Sequence, residues 1–173
     1  MPEKILVVED EQDLRELVDK YFVDMGYQVV VTADGTDALE LAKEEKPQII
    51  LLDLRMPEVD GLEICRKLKA DETTRTIPII IVTAYNNQLN EALAAGADDF
   101  VAKPVQLLEL SVRVKSILKV RHLTDELEKS VAYMKELQKN LPGVDTGHWR
   151  RLAHAQAAAP KAARKRGRSS KKR

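Results

Sequence analysis

Five times in the first 119 residues, a short unbroken apolar run is followed by an amphipathic helical pattern. The runs are Ile5 to Val8, Val29 to Thr32, Ile49 to Leu52, Ile79 to Val82 and Phe100 to Ala102. A strand that is apolar throughout, instead of at alternate residues, is one covered on both faces. Strands of that kind separated by helices form a parallel sheet with helices packed on either side, a doubly wound α/β fold. In this architecture ligands sit beyond the carboxyl ends of the strands, so the chemistry is expected there.

The helical segments carry their own punctuation. Leu14, Leu17, Val18, Tyr21, Phe22 and Met25 follow the spacing of one helix face, and Gly26 supplies a stop that tolerates a left-handed backbone. Ala38, Leu39, Leu41 and Ala42 mark a second helix, and Leu62, Ile64, Cys65 and Leu68 a third. Leu89, Ala92, Leu93 and Ala95 mark a fourth, ended by Gly96. A further helix begins near Gln106, after Pro104.

Polar residues gather where the strands finish. The first run ends at Glu9 and Asp10, the third at Asp53, the fourth at Thr83 and the fifth at Lys103 and Pro104. Each alone is an ordinary loop residue, but Glu9, Asp10, Asp53, Thr83 and Lys103, in order at four strand ends, converge on one edge of the sheet. Three carboxylates crowded together repel one another unless a cation joins them, and a hard divalent ion with oxygen ligands, Mg²⁺, meets that need. A carboxylate nucleophile beside Mg²⁺ and an ammonium suits phosphoryl transfer, in which positioning and charge neutralisation do most of the catalysis.

With these residues in place, the segments ILVVEDE from Ile5, LLDLRMPEVDGLE from Leu51, IVTAY from Ile81 and ADDFVAKP from Ala97 resemble the receiver domain of bacterial two-component response regulators, over roughly Lys4 to Lys119. The resemblance implies a flavodoxin-like, five-stranded parallel sheet of order 2-1-3-4-5. It implies that Asp53 takes a phosphoryl group from a histidine kinase or phosphotransfer protein. It makes Glu9, Asp10, Asp53 and the backbone carbonyl of Arg55 the Mg²⁺ ligands, Lys103 the partner of the phosphoryl oxygens, and Thr83 a hydroxyl donor to one of them. Thr83 and Phe100 become the switch residues. Pro57 and Gly61 are expected to shape the loop after Asp53, Gly61 by permitting a tight turn. Pro104 is expected to form a cis bond that aims Lys103. Arg55 and Tyr85 flank the phosphoryl position and are expected to tune its lifetime. A rival aspartyl-phosphate chemistry, that of haloacid dehalogenase-like phosphatases, needs a second acid two residues after the nucleophile. Arg55 stands there instead. The chain is thus expected to be no independent enzyme, its only chemistry being Mg²⁺-dependent self-phosphorylation and autodephosphorylation.

The expected organisation is a receiver over residues 1–119, a helical extension over 120–141 and a basic tail over 142–173. From Val120 the apolar spacing becomes heptad, with Val120, Leu127, Met134 and Leu141 at a, and Leu123, Ser130 and Leu137 at d. That pattern fits a coiled coil and a homodimer. Pro142 and Gly143 end the helix. Although the formal net charge is zero, residues 142–173 hold ten Lys and Arg against one acid, leaving 18 bases against 27 acids in the rest. The tail cannot bury a core and is expected to be disordered when free. Such a polarised charge fits an arm that binds nucleic acid without reading its sequence. The alternative to a protein-directed switch is therefore a receiver-gated nucleic-acid-binding protein. His122, His148 and His154 lack metal-site spacing. Cys65, the single cysteine, is expected to be a packing residue in a reducing compartment. No apolar run is long enough to span a bilayer, and the start of the chain lacks a signal-peptide layout, so a cytoplasmic protein is expected.

Overall fold

The structure, a computed structural model, describes residues 1–84 and 89–140. Tyr85, Leu141, His148, His154 and the whole basic tail lie outside the described residues. Strand β1 spans Lys4–Val8, helix α1 Gln12–Asp24, β2 Gln28–Thr32, α2 Ala38–Glu45 and β3 Ile49–Asp53. Two short strands follow, β4 Arg55–Met56 and β5 Val59–Asp60, then α3 Gly61–Ala70, β6 Ile79–Thr83, α4 Leu89–Ala94, β7 Asp99–Ala102 and α5 Leu107–Asn140. The main sheet is parallel throughout, in the order β2-β1-β3-β6-β7. Counting its own strands alone, this is the expected order 2-1-3-4-5.

The unbroken apolar runs are explained by the way side chains alternate across the sheet. Leu6, Val8, Ile50, Leu52, Ile79 and Ile81 enter one core, with Ala38 and Ala42 of α2, Ile64, Cys65 and Leu68 of α3, and Ala92 of α4. Ile5, Val7, Ile49, Leu51, Ile80 and Val82 point the other way, into a core shared with Val18 and Phe22 of α1 and Leu110, Val114 and Leu118 of α5. Burying each large aliphatic side chain is worth about 1.5–3 kcal/mol, which makes these two layers the main source of the fold's stability.

α1 departs from its sequence pattern at one position. Val18 and Phe22 are buried, whereas Leu17 is 50% exposed. The contact line of α1 runs through Val18 and Phe22, with Tyr21 and Tyr27 edge-on to Phe22 at 5.6 Å, and this leaves Leu17 at its margin. Gly26 and Gly96 both hold positive φ, at 90° and 97°, as expected of glycines that end helices. Cys65 is fully buried, and burial pushes its thiol up to about 11, disfavouring the reactive thiolate.

The chain divides into two compact units, Met1–Leu123 and Thr124–Arg173. In the first, Arg121 donates to the carbonyl of Gln48 at 2.7 Å and Arg113 grips both carboxylate oxygens of Asp99 at 2.8 and 3.0 Å. In the second, the described residues Thr124–Asn140 are helical. Among the described residues, no helix is long and apolar enough to cross a membrane.

Candidate functional site at the carboxyl edge of the sheet

Strand register brings the site together. β1 and β3 pair Val8 with Leu52, β3 and β6 pair Asp53 with Val82, and β6 and β7 pair Thr83 with Ala102. The residues immediately beyond β1 and β7, Glu9 and Lys103, therefore arrive beside the last residues of β3 and β6. The backbone N–H of Lys103 donates to the carbonyl of Thr83 at 2.8 Å, continuing the ladder one residue past the strand. The peptide bond that follows, Lys103–Pro104, is cis.

Asp53 and Glu9 are both 3% exposed, and Asp10 is half-buried at the rim. Lys103 Nζ lies 2.8 Å from Asp53 Oδ2 and 2.8 Å from Glu9 Oε1. The other Asp53 oxygen, Oδ1, accepts the backbone N–H of Arg55 at 3.0 Å. One carboxylate oxygen each from Glu9, Asp10 and Asp53 lies within 4.8 Å of the others. Three acids meet one ammonium, so the cluster is under-neutralised. Burial, with the Asp53 charge adding to it and Lys103 opposing, pushes the Glu9 carboxyl up to about 7. Burial alone would pull Lys103 down, but hydrogen bonds to Asp53 and Glu9 outweigh it and raise its ammonium above the usual value. Oxygen donors at this mutual spacing, short of positive charge, fit a hard divalent cation.

Several supports have no signal in the sequence pattern. Arg15 of α1 donates through Nη1 to the carbonyls of Glu9 at 2.9 Å and Asp10 at 3.1 Å, which fixes the turn that presents both carboxylates. β4 and β5 form a small antiparallel hairpin around Pro57 and Glu58, with Met56 paired to Val59. Glu58 takes the positive φ of this turn, at 65°. Gly61 is required for space and not, as expected from the sequence, for turn freedom: a Cβ there would stand 2.4 Å from the Asp53 carbonyl oxygen. Its N–H donates to Leu54 O at 3.1 Å, holding the loop against the end of β3.

Thr83 is buried at the tip of β6. Phe100, in β7, is half-buried and packs on the core shared by α2, α3 and α4. Among the described residues, Glu9, Asp10 and Asp53 make the single acidic group with metal-ligand spacing. A buried carboxylate flanked by an ammonium and two further acids has the chemistry that phosphoryl transfer calls on, an oxygen that can attack and positive charge beside it.

Known proteins match this arrangement. The sequence model of the response regulator receiver domain matches residues 5–115. Response regulator PleD of Caulobacter vibrioides is 39% identical over 134 residues, covering 76% of this chain and 30% of PleD. The alkaline phosphatase synthesis transcriptional regulatory protein PhoP of Bacillus subtilis is 38% identical over 121 residues, 69% of this chain and 50% of PhoP. This chain thus spans half or less of the length of those relatives. Among solved structures, the receiver domain of a sensor histidine kinase from Pseudomonas aeruginosa PAO1 is 31% identical with a TM-score of 0.64, covering 69% of this chain and 99% of that one. It is described as having a magnesium ion coordinated in the active site cleft. The parallel sheet, the acid cluster at its carboxyl edge and these matches together assign the chain to the two-component response regulators, through a receiver domain.

Proposed function

We propose that the protein is a phosphorylation switch in which Asp53 accepts a phosphoryl group from a histidine kinase or phosphotransfer protein. The observation that carries this reading is the pairing of buried Asp53 with Lys103 at 2.8 Å inside a cluster of three carboxylates. An Asp53 carboxylate oxygen forms the new P–O bond as the P–N bond of the donor phosphohistidine breaks, and the electron pair leaves with the imidazole nitrogen. Hydrolysis of the aspartyl phosphate by water resets the switch.

Glu9, Asp10, Asp53 and the backbone carbonyl of Arg55 hold Mg²⁺, a reading supported by the donor chemistry of the cluster and by the magnesium of the Pseudomonas receiver. When bound, Mg²⁺ neutralises charge on the transferring phosphoryl oxygens. Lys103 supplies the second positive charge. It trades its contacts with Glu9 and Asp53 for the new oxygens. Thr83 donates its hydroxyl to another oxygen, and Phe100 repacks with it, changing the surface that partners or a second copy meet. Pro57, Gly61 and Pro104 hold the two loops that carry these groups. The protein has no separate substrate to turn over and works in the cytoplasm.

A second reading concerns output. The ten Lys and Arg of residues 142–173 favour a nucleic-acid partner gated by the receiver.

The test is incubation with acetyl phosphate and Mg²⁺, followed by intact-mass measurement. The wild type gains one hydroxylamine-labile phosphoryl group, and Asp53→Asn gains none. Equal labelling of Asp53→Asn overturns the assignment. Lys103→Ala is expected to lose phosphorylation-dependent partner binding, and unchanged binding removes Lys103 from the switch.

A further inference from the structure

We infer that the helix from Thr124 to Asn140 is a dimerisation segment: Leu127, Ser130, Met134 and Leu137 pack against the same face of a second copy in a parallel, two-stranded coil. This goes beyond the phosphorylation reading and does not depend on it.

Among the described residues, the helix carries large apolar side chains that stand substantially exposed. Leu127 is 65% exposed, Met134 55% and Leu137 40%, with Val131 beside them at 43%. These residues recur at the 3.5-residue period that keeps one seam facing a partner helix. Charge is segregated from that seam. Asp125, Glu128, Lys129, Lys135, Glu136 and Lys139 all fall at the outward b, c and f positions. The flanking e positions hold Thr124, Val131 and Gln138, and the g positions hold Glu126, Tyr133 and Asn140. A parallel pair sets g against the following e of its partner, and these positions oppose no like charges.

The occupant is a second copy because the chain's own remainder cannot serve. Residues 141–173 offer Leu141, Val144, Trp149 and Leu152 as their large apolar side chains, too few and too irregular for a matching seam. Ser130 decides the orientation. In a parallel coil, d positions pack against d positions, so the two Ser130 residues share one layer. An antiparallel coil would set each against a Leu or Met. The Ser130 hydroxyl already donates to Glu126 O at 2.9 Å within its own helix, so burying it orphans no polar group. The cost of Ser130 is lost apolar packing, which makes the dimer weak and reversible.

Sedimentation equilibrium of the full chain, unphosphorylated, tests this. The wild type is expected to show a monomer–dimer equilibrium. Leu127→Lys with Met134→Lys, both exposed in the monomer, is expected to be monomeric with its receiver still folded by circular dichroism. Ser130→Leu is expected to tighten the dimer by about tenfold or more. Leu137→Cys is expected to form a disulfide between copies on oxidation, which parallel helices in register permit; the wild type, with Cys65 buried, is the control. A wild type that stays monomeric at its highest soluble concentration overturns the proposal. So does a dimer that survives the double Lys variant, because it then uses another face. Failure of Leu137→Cys to cross-link in a dimer overturns the parallel orientation. None of these results bears on whether Asp53 is phosphorylated.

Discussion

A Cβ placed on Gly61 would stand 2.4 Å from the carbonyl oxygen of Asp53 and 2.5 Å from Leu54 Cα, both backbone atoms of the segment that carries the proposed acceptor. At Gly35 a Cβ would instead meet Ile64 Cδ1 at 2.5 Å and Met56 Cε at 2.7 Å, the free ends of flexible side chains. Backbone cannot yield as a side-chain tip can, so the two Gly→Ala substitutions are expected to differ. Gly61→Ala is expected to cost about 1–3 kcal/mol by overpacking, more than any gain in helix propensity at the first residue of α3. It is also expected to slow phosphorylation by acetyl phosphate, because Asp53 moves with its carbonyl. Gly35→Ala is expected to cost less than about 1 kcal/mol and leave phosphorylation unchanged. Urea denaturation of both, with labelling rates, checks the difference, and equal costs would contradict the steric account. The site's polar groups were legible because Glu9, Asp10, Asp53, Thr83 and Lys103 each fall at a strand end, where a parallel sheet gathers its chemistry. Arg15 was not. A guanidinium reaching back five and six residues to two carbonyls leaves no periodic trace, and only coordinates pair them.

Among the elements, the central strands β1, β3 and β6 were readable because burial on both faces demands unbroken apolar runs. The edge strands β2 and β7 keep apolar runs although they are only partly buried, and the observed bounds of all five extend the runs by one polar residue at most. Asp53 itself closes β3 and Thr83 closes β6. The hairpin of β4 and β5 was not readable, since two-residue strands are too short to show a period and its turn uses Glu58 at positive φ in place of a glycine. α5 shows the limit differently. Its 34 residues give one continuous helical pattern, yet among its described apolar residues only Leu110, Val114 and Leu118 are buried while Leu108 is 73% and Val112 55% exposed. Pattern alone ranks these leucines and valines alike. Leu110→Ala is expected to lose about 2–5 kcal/mol through the cavity it leaves, whereas Leu108→Ala is expected to stay within about 0.5 kcal/mol of wild type. Urea midpoints at constant m-value read both, and comparable losses would mean that α5 is rotated from the orientation described.

Across the whole molecule the charge is split: residues 142–173 carry a net +9 and the remainder a net −9. Zero net charge therefore conceals a strongly basic segment, the one on which the proposed nucleic-acid reading rests. Ten cations with one acid among them would release counterions from a duplex phosphate by phosphate, with affinity falling as salt rises. The slope of log affinity against log salt is about −0.9 per phosphate neutralised, so ten cations bound it near −9. Full-length protein is expected to bind duplexes of unrelated sequence with similar affinity and a steep negative slope, while a truncation ending at Asn140 binds none. Pairing two chains through the coil would bring two such arms to one partner, raising avidity wherever both reach it. A Leu127→Ser, Met134→Ser chain, which weakens the seam without adding charge, is then expected with its tail intact to bind more weakly than wild type, at a shallower slope. Fluorescence anisotropy across a salt series measures each case. Binding that ignores salt, or that persists at full strength without residues 142–173, would assign the nucleic-acid contact to another surface and leave the basic arm without this role.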